Sequence, residues 1–310
     1  MSSLLCILGP TAAGKTRVAA LVAHALCGEV LSADSRQVFR GMDLGTGKDY
    51  DDYVVQGAPV PSHLMDLVDP PQPFSLFDWC KAFTVAYEAV QSRGRLPVLC
   101  GGSGLYLEAV LARYPLVEAP RNEGLREELA TLTMDELRRR HAALATPHNT
   151  TDTRHRDRLV RAIEIALHAH AHPEDRLVLP SFESRIYGVR WPRAVLRRRI
   201  ESRLKERLDA GLIDEVEALL SQGLTHEDLQ FYGLEYRLVG AYVAGDLNRN
   251  DMFQKLRSAI HKFAKRQETW FRRMERKGFE IHWVEGKQGP ERCSEEIVAD
   301  WQRSRRPLEP

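Results

Sequence analysis

The apolar and polar positions of this 310-residue chain fall into short continuous apolar runs separated by longer amphipathic stretches. Leu4-Leu5-Cys6-Ile7-Leu8 is apolar throughout, which predicts a strand buried on both faces of a parallel sheet. A helix over residues 17–26 and a second strand over 29–32 come next. Residues 60–70 read as a short strand entering a proline-rich turn, 75–93 as a helix with Phe77, Phe83, Tyr87 and Val90 on its apolar positions, and 96–100 as another strand. Residues 184–190 predict the strand that closes the sheet. Beyond it, a helix over 196–208 has the apolar stripe Leu196, Ile200, Leu204 and Leu208, and one over 252–277 turns Leu256, Ile260, Phe263, Trp270 and Met274 inward. A short strand over 279–284 and a polar tail end the chain. Strands alternating with helices in this order predict an α/β fold with a parallel sheet flanked by helices.

One region departs from the alternation. Pro115, Pro120, Asn122 and Gly124 interrupt it, a polar helix runs over 125–144, and Pro147-His148-Asn149 break the pattern again. A helix over 152–165, with Leu159, Ile163 and Ala166 on one side, restores it. The expected organisation is a core in two parts, 1–114 and 152–290, a small helical insertion at 115–151 and a polar tail at 291–310.

The strongest chemical signal lies where the first strand ends. Gly9-Pro10-Thr11-Ala12-Ala13-Gly14-Lys15-Thr16 fits G-x-x-x-x-G-K-[ST], between a strand and a helix as that pattern requires. Its glycines let the backbone wrap an anion with N–H groups pointing inward, and Lys15 adds a point charge. Thr16 offers a hydroxyl to a magnesium ion (Mg2+), and the start of the helix turns its positive end to the same phosphates. The fold class sharpens to a P-loop NTPase-like sheet with a small helical insertion. Asp34 lies just past the second strand, where open parallel sheets keep ligand-handling residues; the alternative is a helix N-cap for the adjoining turn. Residues 41–48 form a polar, flexible loop. Gly101-Gly102-Ser103-Gly104 is a second strand-to-glycine-turn-to-helix junction, suited to close backbone approach to a ligand or to packing alone.

No apolar run approaches the ~18 residues of a membrane span, and the N-terminus enters a strand without a signal-peptide pattern, so the expected place is the cytoplasm. Five scattered cysteines without C-x-x-C spacing argue against a disulfide framework and a zinc site. The net charge of +1 conceals an uneven distribution. Residues 43–69 hold six acidic residues and one lysine, whereas 185–207 and 255–277 each hold nine basic and two acidic. Arg199, Arg203 and Arg207 share one four-residue helical row, and Lys265-Arg266-Gln267-Glu268-Thr269-Trp270-Phe271-Arg272-Arg273 interleaves bases with aromatics as nucleic-acid surfaces do. A polyanion partner is the expectation, although basic helices are also ordinary solvated faces.

The ordered set of motifs resembles the tRNA dimethylallyltransferases, which attach an isopentenyl group to the N6 amine of the adenosine just 3′ of the anticodon. The likeness runs through Gly9 to Thr16 and through Asp34-Ser35-Arg36-Gln37-Val38-Phe39-Arg40-Gly41-Met42-Asp43-Leu44-Gly45-Thr46. It continues in His63-Leu64-Met65-Asp66, Gly101-Gly102-Ser103-Gly104-Leu105-Tyr106, Arg158-Leu159-Val160-Arg161-Ala162-Ile163-Glu164, Tyr232-Gly233-Leu234-Glu235 and the late basic helix. The resemblance implies that the phosphate loop, with Arg199 and Mg2+ at Thr16, grips the diphosphate of dimethylallyl diphosphate. It implies that Asp34 accepts the proton of the adenine amine, that Arg203 neutralises the departing diphosphate, and that Ser103 holds adenine or diphosphate. It places the tRNA anticodon stem-loop on Asp34, Ser35, Arg36, Gln37 and Ser103, on Asp157, Arg158, Leu159, Val160 and Arg161, and on Lys265, Arg266, Gln267, Trp270 and Arg272. A monomer of the bacterial type is implied, since no zinc-finger pattern is present. Ser62 stands where the family often has the first of two histidines, Met65 replaces isoleucine, and Lys48 comes after Gly47 where alanine-lysine-proline is common.

Two rivals come from other classes. A small-molecule kinase would also use Lys15 and an aspartate after the second strand, but has no need for the basic run at 265–273. A non-catalytic tRNA-binding protein would be expected to lose Asp34 or Lys15, and both are present.

Overall fold

The computed structural model describes residues 2–144 and 153–305, and the chain divides into two compact units, residues 1–112 with 180–310 and residues 113–179. The larger unit opens with β1 (Ser3–Leu8), α1 (Lys15–Ala25), β2 (Gly28–Ala33), the hairpin β3 (Val54–Val55) and β4 (Ala58–Pro59), then β5 (Ser62–His63), α2 (Leu76–Ser92), β6 (Leu96–Gly101) and α3 (Gly104–Leu111). The smaller unit contains α4 (Glu123–Ala130), α5 (Met134–Leu144) and α6 (Arg156–Ala171). The larger unit resumes with β7 (Glu183–Arg190), α7 (Arg193–Asp209), α8 (Leu212–Ser221), α9 (Leu234–Val243), α10 (Arg249–Arg276), β8 (Ile281–Glu285) and α11 (Pro290–Ser304).

Its sheet has the order β5-β2-β6-β1-β7-β8, and every neighbouring pair is parallel. β1 is buried at all positions, which explains its unbroken apolar run. Leu8 stands opposite both Gly101 and Gly188, and Ala33 opposite Gly101, so β2, β6, β1 and β7 finish at one edge. That edge is where open parallel sheets bind ligands.

Two expectations are corrected. β7 does not close the sheet, because β8 pairs with its outer side, Ile186 opposite Ile281. Residues 291–304 are not a tail: Cys293, Ile297 and Trp301 recur every four residues, forming one stripe of α11 that packs with Val18 and Val22 of α1. Full burial of Ile297 alone stabilises by roughly 1.5–3 kcal/mol. α2 begins at a capping box, with Ser75 Oγ accepting from Asp78 N (3.2 Å) and Asp78 Oδ2 accepting from Ser75 N (2.8 Å). Its Trp79, Phe83 and Tyr87 form an aromatic series that reaches Tyr106 of α3, 4.6 Å from Trp79 between ring centroids.

In the smaller unit the polar helix expected over 125–144 is two helices. The first ends at Ala130, and Thr133 and Glu136 make a second capping box that starts the next. The unit runs to residue 179 rather than 151, because Leu159, Val160 and Ile163 of α6 complete a core with Leu129 and Leu137. Beneath them Glu164, with a side chain 1% exposed, takes Arg126 through both oxygens at 2.7 Å. Burial raises its pKa, but the hydrogen bonds from Arg126, the Asn122 amide and Arg161 outweigh that and hold it at about 2. The entering and leaving strands of the unit are tied by an antiparallel bridge between Val117 and Arg176, with Leu177 N donating to Leu116 O at 2.8 Å. The break expected at Pro147-His148-Asn149 lies outside the described residues.

Candidate functional site

The phosphate loop leaves β1 at Gly9, where a Cβ would come within 3.0 Å of the Val189 carbonyl oxygen. Ala13 N donates to Pro10 O (3.2 Å), and the backbone passes through the left-handed region at Ala12 (φ 63°) and Gly14 (φ 81°) before α1 starts at Lys15. Two loop carbonyls are engaged from outside: Trp191 Nε1 donates to Ala13 O and Arg199 Nε to Ala12 O, each at 2.9 Å. Among the described residues no side chain caps α1, which leaves its first N–H groups facing the loop, the arrangement that receives an anion.

A cleft of about 500 Å3 opens beside the loop, lined among others by Lys15, Thr16, Asp49, Asp52, Arg199 and Arg203. Burial pulls Lys15 below the ordinary lysine value. Arg203, which donates to Thr11 Oγ1, is lowered to about 10 by burial and then by the neighbouring Arg207 charge, against the opposing pull of Asp49 and Glu235. Arg199 stacks over the Trp191 ring, 4.3 Å from its centroid. Arg207 is buried, with Nη2 3.3 Å from both carboxylate oxygens of Asp49. Cations depressed by desolvation and by one another are the electrostatic state that a bound polyphosphate relieves.

The neighbouring strand ends form a second wall. Ser103 N donates to Ala33 O (3.3 Å), and Ser103 Oγ accepts from Ser35 N (3.1 Å), which ties the turn after β6 to the segment after β2. Gly102 sits between them and the loop: a Cβ there would lie 3.5 Å from Lys15 Cε and 3.2 Å from Gly9 O. No helix starts after Asp34, which instead caps its own turn, Oδ1 accepting from Arg36 N (2.9 Å). Among the described residues, its other oxygen accepts no hydrogen bond.

Several residues expected to touch tRNA are committed elsewhere. Gln37 is buried, accepting from Ser32 Oγ (2.7 Å) and donating to Gly47 O (2.8 Å). Gln267 is buried and joins both glycine turns, accepting from Thr11 N (2.8 Å) and donating to Gly102 O (2.9 Å). Leu159 and Val160 belong to the core of the smaller unit, and Arg161 donates to Ala119 O (2.7 Å) and Glu164 (3.2 Å). Trp270 lies against Gly104 with Arg273 over its ring, 4.0 Å from the centroid. Arg36, Asp157, Arg158, Lys265, Arg266 and Arg272 are exposed. The sequence reading missed Asp49, Asp52 and Glu235; the first two lie in the acidic stretch at 43–69, whose charge excess was their only signal.

Among the described residues no group of three or more His, Cys, Asp or Glu side chains could hold a metal by itself. The cleft does gather oxygen donors, among them the Thr16 hydroxyl and the carboxylates of Asp49 and Asp52; Ser202 and Glu206, also on its wall, are hydrogen-bonded to each other at 2.7 Å. Burial and then Asp49 raise the Asp52 pKa, against the pull of Arg17 and Arg203, while Asp49 faces Arg207. Hard oxygen donors beside a cleft with room for water and phosphate fit Mg2+.

Fold and site together define a phosphate-loop α/β protein whose cleft is shaped for a charged phosphate group, with an aspartate at the end of β2 on the same sheet edge. The model of the family described as IPP transferase matches residues 37–274. The chain is 60% identical over 289 residues to tRNA dimethylallyltransferase 2 of Syntrophotalea carbinolica, covering 93% of this chain and 96% of the relative. It is 54% identical over 297 residues to tRNA dimethylallyltransferase 1 of Geotalea uraniireducens, covering 96% and 97%. Among solved structures, the full-length tRNA isopentenylpyrophosphate transferase of Bacillus halodurans superposes with a TM-score of 0.67 at 28% identity, covering 98% of each chain. This chain belongs to the IPP transferase family. No helix among the described residues is long and apolar enough to cross a membrane.

Proposed function

We propose that this protein transfers the dimethylallyl group of dimethylallyl diphosphate to the N6 amine of adenosine 37 in tRNAs reading codons that begin with U, acting in the cytoplasm as a monomer with Mg2+. The observation that carries the reading is the meeting, at one sheet edge, of a cationic phosphate cleft and the Asp34 carboxylate, whose second oxygen accepts no hydrogen bond among the described residues. The phosphate-loop N–H groups at the start of α1, with the side chains of Lys15, Arg199 and Arg203, bind the diphosphate. Thr16, with Asp49 and Asp52, would hold Mg2+, which when bound adds charge neutralisation on the diphosphate.

The N6 lone pair forms the new C–N bond as the allylic C–O bond breaks, and its electrons leave with the diphosphate. Asp34 takes the proton that N6 sheds, and Arg203 and Lys15 meet the charge growing on the departing oxygens. Ser103 fixes the Asp34 segment through Ser35 and lies beside the adenine. A stacked adenine cannot reach this depth, so the nucleotide is flipped out, at a cost of a few kcal/mol met by protein contacts. Arg36, Lys265, Arg266, Arg272 and, on the smaller unit, Asp157 and Arg158 supply exposed groups for the anticodon stem-loop.

Incubation with labelled dimethylallyl diphosphate and unmodified tRNA, followed by nucleoside analysis, tests this reading. The expected products are N6-(dimethylallyl)adenosine and diphosphate, without ATP consumption; ATP hydrolysis coupled to product would favour a kinase. Asp34→Ala should slow transfer by about 10²–10⁴ while tRNA binding persists, and equal loss of both would remove the general-base role.

A further inference from the structure

We propose that Glu215, on α8, is a positioning residue for the diphosphate cleft: its carboxylate stands in for an anion in a cup of three backbone amides and thereby fixes Asp49 on the cleft wall. The assignment rests on the proposal that this cleft binds a diphosphate. Glu215 Oε2 accepts from the N–H groups of Asp43 (3.0 Å) and Leu44 (2.7 Å), and Oε1 from Gly45 N–H (3.0 Å) and the Tyr236 hydroxyl (2.6 Å). Four donors occupy the acceptor sites of one carboxylate. Successive N–H groups converging on one point form the nest that elsewhere captures free anions; here the anion comes from the chain itself.

The cup sets the path of the chain beyond it. Tyr236 is fully buried, and a Cβ at Gly45 would come within 2.4 Å of its ring, so the loop cannot move toward α9. Asp43 O accepts from both Gly47 N (2.8 Å) and Lys48 N (3.0 Å). The buried Lys48 ammonium donates to Asp43 Oδ1 (2.9 Å), Asp66 Oδ1 (2.5 Å) and Phe39 O (2.6 Å). Gly47 has φ 75°, and a Cβ there would lie 2.2 Å from Arg207 Nη2. Asp49 comes next but one, lining the cleft and 3.3 Å from the same nitrogen. Glu215 does not line the cleft, yet an unbroken series of short contacts runs from it to Asp49.

The test is calorimetric binding of inorganic diphosphate in the presence of magnesium, beside steady-state transfer. Glu215→Gln turns an amide donor toward the converging N–H groups. It should raise the diphosphate Kd, and the KM for dimethylallyl diphosphate, by about tenfold or more, with the KM for tRNA within about twofold. Tyr236→Phe removes one donor and leaves the amide cup, so it should shift the same two constants by about two- to fivefold. It decides the matter where the first variant fails to fold. A diphosphate Kd unchanged in a folded variant overturns the assignment, as does a tRNA KM that rises in step. A parent protein that binds diphosphate but transfers no prenyl group would overturn the prenyl-transfer function instead, and the binding series would still judge Glu215.

Discussion

Residues 185–207 and 255–277 hold the same nine basic and two acidic residues, yet the two stretches serve opposite surroundings. On α7 the row of Arg199, Arg203 and Arg207 flanks the buried stripe of Leu196, Ile200 and Leu204 and turns toward the phosphate loop. On α10 the inward stripe is Met252, Leu256, Ile260, Ala264, Gln267, Phe271 and Met274, which leaves Lys265, Arg266 and Arg272 exposed. The difference is one of helical phase. Equal charge counts thus cover a desolvated cationic row on one helix and a hydrated one on the other, and only the helical face tells them apart.

Substitutions that separate the two helices sharpen this contrast. Arg203→Ala should lower prenyl transfer by about 10²–10³ with tRNA affinity unchanged, since it removes a preorganised charge from the leaving group. Reversing Lys265 and Arg266 to glutamate should weaken tRNA binding by about tenfold at low salt and flatten its salt dependence, leaving diphosphate binding alone. An unchanged salt titration would mean that this face meets no RNA. Gln267→Ala, between those two cations and the phosphate loop, should destabilise the fold by about 1–3 kcal/mol, because Thr11 N–H and Gly102 C=O lose their partner; thermal unfolding reads this directly. The smallest effect concerns pH. Arg203 is held below its unfolded value, so in the folded protein its charge is lost as the pH rises through about 10. Diphosphate affinity should fall by a few-fold across that range, and less steeply in Arg203→Met.

What could be read from the sequence was what is local. The phosphate loop needs only a strand, its glycines and a helix start, all contained in residues 4–26. The inward face of α10 is partly the expected one: Leu256, Ile260 and Met274 are buried and Trp270 packs against Gly104, but Phe263 is only half-buried and a buried glutamine takes a core position because it bridges two glycine turns. No hydrophobic pattern can announce such a residue. Glu215, itself held by Tyr236, anchors a loop about 170 residues away in sequence, so the placement of Asp49 is invisible until the chain folds. α11 is legible in the spacing of Cys293, Ile297 and Trp301, but its remaining positions are polar and give the segment the look of a tail.

The bridge between Val117 and Arg176 has a consequence for how this architecture can vary. A clasp at the neck makes everything distal to it a cassette whose length and content can change without rethreading the sheet. Lineages, and engineers, are free to exchange that cassette while the strand ends of the larger unit are inherited intact.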